Sequence, residues 1–249
     1  MFIPFPKFSN KHLEEALFTA ADFRKYKKWS KNRFPKKMII TYPGSSLAYF
    51  KKKYRGKYEK INFYKYHEIL RIGDLGFMNF RGIGAPFAAT FMEELIACGV
   101  REFINMGTAG GLYSEGVFLC DKAIRDEGTS HHYIPDGKYS YPDKKLTERL
   151  GKALEKAGIK YQTGTTWTID APYRETKAEI ARYKKEGVRT VEMEAAALFA
   201  VAKVRGVKIA SMFAVSDVLG EKWDPRFHTM NLKRTLNKML DAAVECLRK

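Results

Sequence analysis

The chain has 249 residues, 45% of them hydrophobic and 14% aromatic, enough for one large α/β domain and too apolar for a disordered chain. Its 45 Lys and Arg exceed 28 Asp and Glu for a net charge of +17, yet no apolar run approaches the ~18–20 residues of a membrane span, and Met1–Lys11 lacks the apolar stretch of a secretion signal. Cys98, Cys120 and Cys246 form no Cys-x-x-Cys pair, which fits a reduced, cytoplasmic protein that folds without disulfides or metal.

Residues 1–37 read as a basic lead-in, irregular or helical, packed on a single domain that spans residues 38–249. Residues 1–60 hold 16 Lys and Arg against 4 acids, a net of +12, whereas residues 61–249 hold 29 against 24, a net of +5. Arg24-Lys25-Tyr26-Lys27-Lys28 and Lys51-Lys52-Lys53-Tyr54-Arg55-Gly56-Lys57 interleave cations with tyrosines, as nucleic-acid-binding surfaces do. No zinc-finger spacing or RNP-type aromatic strand accompanies them. A solvated basic face that attracts small anions such as phosphate is the favoured reading, and nucleic acid the disfavoured one.

Met38-Ile39-Ile40-Thr41-Tyr42 predicts a buried strand, and Pro43-Gly44-Ser45-Ser46 a turn that opens a helix. Residues 61–80 carry alternating aromatic and β-branched positions and finish at Phe77-Met78-Asn79-Phe80. Arg81-Gly82-Ile83-Gly84-Ala85-Pro86 then leads into an amphipathic run from Phe87 to Cys98. Pro86 suits the first turn of that helix and Gly99 its end. Glu102 to Met106 predicts a strand, followed by a glycine loop from Gly107 to Gly111. Further helices are expected at 144–157, 174–186, Glu194 to Val204 and 229–247. Strands are expected at 159–169, Val188 to Val191 and Val207 to Val215. Such alternation implies an α/β fold with a mainly parallel or mixed twisted sheet, flanked by helices on both faces.

Ligands of such sheets bind beyond the carboxyl ends of the strands, where four groups of residues stand out. The Gly44-Ser45-Ser46 turn exposes backbone N–H groups that favour anions, although turn chemistry alone also accounts for Gly and Ser there. Arg81 beside Gly82 and Gly84, ahead of a helix, makes a second anion site. The Gly107–Gly111 segment brings N–H groups and the Thr108 hydroxyl to a ligand, or else packs tightly, because glycine serves both uses. Glu192 and Glu194 bracket a strand-to-helix turn, where carboxylates can accept hydrogen bonds from ribose hydroxyls or stabilise the helix terminus. Asp217 ends a buried apolar strand, placed to donate a proton. His131-His132 lack usual zinc spacing, and no metal is expected.

Taken together, Gly82-Ile83-Gly84-Ala85-Pro86, Gly107-Thr108-Ala109-Gly110-Gly111, Val191-Glu192-Met193-Glu194-Ala195-Ala196 and Ser216-Asp217 follow the order and rough spacing of the purine nucleoside and uridine phosphorylase family. The chain resembles that family over about residues 38–249. The resemblance implies cleavage of a nucleoside by phosphate into free base and ribose 1-phosphate. Phosphate would be a co-substrate, with no cofactor. It implies ribose contacts from Glu192, Met193, Glu194 and His12, with His12 reaching a neighbouring subunit. It implies phosphate contacts from Gly44 and Thr108, and base contacts from Tyr173, Arg174 and Ser216. Asp217 matches the acid that protonates the base in purine-specific relatives, so the reading leans to purines. The family also implies a homo-oligomer built from dimers, up to a hexamer.

Two departures bear on the chemistry. Hexameric bacterial members carry phosphate arginines where this chain has Ala48 and Asn105. Arg81, helped by the basic 51–57 stretch, is the expected replacement. The string Ile104-Asn105-Met106-Gly107-Thr108-Ala109-Gly110-Gly111 also resembles related nucleosidases, which use water. Those enzymes carry a catalytic Glu where Pro43-Gly44-Ser45-Ser46 stands here, so phosphorolysis stays ahead of hydrolysis. A nucleic-acid-binding protein on this fold is the rival from another class. Arg226 and His228 lie in a segment that closes over the site in the family.

Overall fold

A computed structural model describes residues 5–8 and 10–248. Residues 1–4 and 9 of the lead-in, and residue 249, lie outside the described residues. The strands are β1 (Lys37–Thr41), β2 (Glu59–Tyr64), β3 (His67–Ile72), β4 (Leu75–Asn79), β5 (Glu102–Gly111), β6 (Val117–Asp126), β7 (Tyr139–Ser140), β8 (Tyr161–Ile169), β9 (Thr190–Glu192), β10 (Lys208–Leu219) and β11 (Trp223–Pro225). The α-helices are α1 (Ala20–Tyr26), α2 (Gly44–Lys53), α3 (Ala85–Ala97), α4 (Lys144–Lys156), α5 (Lys177–Lys185), α6 (Ala195–Arg205) and α7 (Met230–Arg248).

The strands join in one sheet in the order β11-β10-β6-β8-β9-β5-β1-β4-β3-β2, and β10 also pairs with β5. That extra ladder closes β5, β10, β6, β8 and β9 into a ring, from which β1 to β4 extend as an open sheet. The sheet is mixed. β1 runs parallel to β4 and β5, as β10 does to β5, whereas β10 and β6 are antiparallel.

Side chains of β1 alternate between two cores, as a strand period of two requires. Met38 and Ile40 join one core with Ala88, Met92 and Leu95 of α3 and Leu198 and Val201 of α6. Ile39 joins the other with Phe50 of α2, Leu150 of α4 and Leu240 of α7. Helices cover both faces, which explains why this strand reads as an unbroken apolar run. Within the lead-in, the Trp29 ring lies 4.5 Å from the Phe63 ring and 5.6 Å from that of Tyr64. Among the described residues no helix is long and apolar enough to cross a membrane.

Three differences from expectation bear on the site. The Gly107–Gly111 segment is not a loop, because β5 runs on through Gly111. Its glycines are needed for packing. A Cβ on Gly110 would stand 2.9 Å from the Val191 side chain, and one on Gly111 would strike the Ser114 carbonyl oxygen. β10 continues past Val215 to Leu219, with a bulge between Val215 and Asp217. Asp217 therefore sits inside a strand, where the bulge re-aims its side chain. The charged helix expected from 174 starts at Lys177, because Thr176 caps it. Residues Pro172–Arg174 form a separate 3-10 turn.

Candidate active site

Glu192 ends β9, and Glu194 precedes the first residue of α6. The Glu192 carboxylate caps that helix, taking the Glu194 N–H at 2.8 Å and the Ala195 N–H at 2.7 Å on one oxygen. Its other oxygen accepts the Thr168 hydroxyl at 2.5 Å. These bonds satisfy the exposed N–H groups of a helix start and leave Glu192 fully committed to the fold. Glu194 is free of that duty. Its Oε1 accepts the Gly84 N–H at 2.6 Å, where Gly84 adopts φ 101°. A side chain at that position would strain the backbone.

Both carboxyls are buried. Burial pushes the Glu192 carboxyl well above the ordinary carboxylate range, and the neighbouring Glu194 charge adds to it. Burial likewise raises Glu194. Neighbouring buried carboxyls resist ionising together, which raises the pair above the ordinary carboxylate range.

Tyr42 follows β1 and faces the same pair. Burial pushes its phenol up first, then the charges of Glu194 and Glu192. Its hydroxyl donates to Asn105 Oδ1 at 3.0 Å, and Asn105 Nδ2 donates to Ser211 Oγ at 3.2 Å. Gly107 admits the Tyr42 ring, since a Cβ there would lie 3.1 Å from it. Thr108, half-buried, is next in the strand. Among the described residues Ser46 Oγ, buried at the start of α2, finds no hydrogen-bond partner, and Gly44 there is exposed with open space around it.

Asp217 is buried and held by two donors. Ser216 Oγ lies 2.8 Å from Oδ1, and Trp223 Nε1 of β11 lies 2.9 Å from Oδ2. A Cβ on Gly110 would be 3.6 Å from Asp217 Oδ2 as well as against Val191. The bare glycine thus lets the acid and the carboxylate turn approach from opposite sides of β5. The Arg226 N–H donates to the Ser216 carbonyl at 2.8 Å, and its guanidinium pairs with Asp224 and Glu115, each at 2.6 Å.

A family model described as the phosphorylase superfamily matches residues 44–248. The chain belongs to the phosphorylase superfamily. A guanosine phosphorylase of Halorubrum lacusprofundi is 32% identical over 139 residues, 54% of this chain and 57% of that protein. A uridine phosphorylase of Treponema pallidum is 32% identical over 149 residues, 54% of this chain and 58% of that protein. The match thus spans little more than half the length of these curated relatives. The fold agrees with that of an AMP nucleosidase of Bacteroides thetaiotaomicron, with a TM-score of 0.76 at 23% identity over 93% of this chain and 99% of the other.

On this superfamily scaffold, Glu192, Glu194, Thr108, Ser216 and Asp217 gather around β5, β9 and β10, with half-buried Met193 between the two glutamates. Arg81 stands exposed beyond β4, close enough to lower the His67 imidazole together with burial. Tyr173 is fully exposed, and Arg174 shares its turn. His12 sits in the short 3-10 turn Lys11–Leu13 and lines a groove of about 1060 Å³ with Thr90, Glu93 and His132. The basic stretch after Lys51 does not reach Gly44. The two ends of α2 are roughly 14 Å apart, and Lys51 and Lys53 pair with Glu68 and Asp241. Among the described residues, no three His, Cys, Asp or Glu side chains gather as metal ligands would.

Sequence reasoning missed Tyr42, Thr168 and Trp223. Thr168 carried a signal, since it alternates with buried Trp167 in a Thr-rich strand. Trp223 carried none, because its bond to Asp217 depends on β11 folding back along β10.

Proposed function

We propose that the chain is a nucleoside phosphorylase that leans to purine nucleosides. It would release the free base and ribose 1-phosphate, using inorganic phosphate as co-substrate and no cofactor. The observation that carries this reading is Glu194, a buried carboxylate fixed through one oxygen by the Gly84 N–H. On this reading the carboxyl would also accept the vicinal hydroxyls of a ribose. Met193 would pack on the sugar, and Glu192 would hold the turn. Gly44, Thr108 and Arg81 would take phosphate, and Ser216, Tyr173 and Arg174 the base. Holding phosphate in line with C1′ is a positioning effect. On this reading the protein works in the cytoplasm as a dimer-based homo-oligomer, in which His12 serves a neighbour's ribose.

The test is a panel of purine and pyrimidine nucleosides in phosphate buffer, with chromatographic detection of free base. Release of purine bases is expected. Cleavage confined to uridine, or no cleavage, contradicts the reading.

One observation favours water as the nucleophile instead. Asn105 is fully buried and neutral, and its amide is spent on Tyr42 and Ser211. It supplies no charge to an incoming phosphate. The nucleosidase reading follows if Arg81 fails to replace that charge.

A further inference from the structure

Asn79 ends β4 and stands level with Thr41, the last residue of the parallel strand β1. It is buried, and its amide Nδ2 donates to three consecutive carbonyls of the chain leaving β1. These are Thr41 at 3.2 Å, Tyr42 at 3.0 Å and Pro43 at 3.2 Å. Only the NH2 end of an amide can face three carbonyl oxygens, which fixes its orientation. The Phe80 N–H also reaches the Thr41 carbonyl, at 2.7 Å, so the end of β4 grips the exit of β1 with main chain and side chain together. The other side of this turn carries donors. Helix α2 starts at Gly44 with Pro43 as its cap residue and no side-chain cap. A Ser, Thr or Asp cap would occupy one of the first N–H groups itself. Here the Ser46 N–H turns back to the Pro43 carbonyl at 3.0 Å, and among the described residues no protein group accepts the Gly44 or Ser45 N–H.

We propose that Asn79 is a positioning residue for the phosphate nucleophile, setting from the carbonyl side the turn whose Gly44 and Ser45 N–H groups take the anion. This inference rests on the phosphorolytic reading. The Pro43 carbonyl and the Gly44 N–H belong to one planar trans peptide unit and point in opposite directions. Tying the carbonyl to Asn79 therefore aims the N–H away from it, into the open space around Gly44. The Ser45 N–H follows in the first turn of α2, where aligned N–H groups and the helix dipole favour an anion. Asn79 does not itself touch the anion. Its effect is large because Ala48 and Asn105 bring no charge. Neutral N–H donors lose strength steeply as their angle worsens, so a site built on them depends on how the turn is held. Arg81, two residues on from Asn79, would add charge from the same strand end.

The experiment measures the phosphate and nucleoside dependence of cleavage separately in wild type, Asn79→Asp and Asn79→Ser. Asp keeps the shape but puts an acceptor where three carbonyls need a donor, whereas Ser keeps one donor on a shorter arm. Asn79→Asp is expected to raise KM for phosphate by about 10–100-fold, the worth of one or two hydrogen bonds to a charged group. KM for the nucleoside should stay at the wild-type value, and Asn79→Ser should fall between the two proteins in KM for phosphate. An unchanged KM for phosphate overturns the proposal, and so does an equal rise in both KM values, which a general loss of structure would give. Melting temperature with and without inorganic phosphate supplies a second readout that needs no turnover. Phosphate should raise it in the wild type, through binding to the folded state, and raise it less in both variants. The same rise in all three proteins, or none in the wild type, overturns the proposal. If the wild type cleaves nucleosides equally well without phosphate, the phosphorolytic reading falls, while the melting shifts still decide whether Asn79 governs an anion-binding turn.

Discussion

At the scale of single residues, three acids that look interchangeable in sequence have different work. Glu192 gives both oxygens to Thr168 and the start of α6, so its removal is a structural change. Glu194 accepts the Gly84 N–H and, on the proposed reading, the ribose hydroxyls. Glu194→Ala should therefore raise KM for ribonucleosides by about 10–100-fold, the worth of roughly 1.5–3 kcal/mol in charged hydrogen bonds. It should narrow the preference over 2′-deoxy analogues, read from steady-state kinetics on both sugars. Asp217→Asn replaces the carboxyl that Ser216 and Trp223 hold, and purine nucleoside cleavage should drop by roughly 10²–10⁴-fold. Retained activity would remove Asp217 from the chemistry. The Val-Glu-Met-Glu string and Ser216-Asp217 were legible in the sequence because short local motifs encode a turn and its side chains together. Trp223 was not, because its bond to Asp217 forms only once β11 folds back along β10.

Among the elements, β5 carries the site. Its glycines let Tyr42, Val191 and Asp217 approach the same strand from different sides. Sequence alone left the use of those glycines open, because glycine marks turns and close packing alike. The folded strand shows close approach along its length. Gly111→Ala should thus destabilise by about 1–3 kcal/mol through overpacking, a fall of roughly 2–4 °C in melting temperature per kcal/mol for a chain of this size. Gly44→Ala, with nothing within 4 Å of the added methyl, should melt at the wild-type temperature. Thermal unfolding of the two variants checks both statements. An equal loss in both would mean that space at β5 is not what its glycines provide. The helices and buried strands were readable from apolar periodicity and glycine stops. The ring closure of β10 on β5 was not, because two parallel strands leave no joint pattern in sequence.

Across the whole molecule, the raised carboxyls set how stability depends on pH. Glu175, Glu192 and Glu194 all titrate above their ordinary value of 4.5. The folded state therefore keeps protons that the unfolded chain releases between about pH 4.5 and 7. Stability of the unliganded protein is highest at the acidic end of that window and falls as pH rises through the folded values. Melting temperature should decline from about pH 5 to pH 8, and Glu175→Gln should flatten part of that decline. A melting temperature that climbs across this range would contradict burial as the cause of the shifts. The basic chain, read in sequence as a solvated face that attracts small anions, spends two of its cations, Lys51 and Lys53, on Glu68 and Asp241. Composition shows net charge but not which charges are already paired.

The most direct test of the central claim is nucleoside cleavage with and without inorganic phosphate, with the sugar product identified. The account predicts purine base release only when phosphate is present, with ribose 1-phosphate as the partner product. Release of free ribose at the same rate without phosphate would contradict it and assign the buried, neutral Asn105 to a hydrolase.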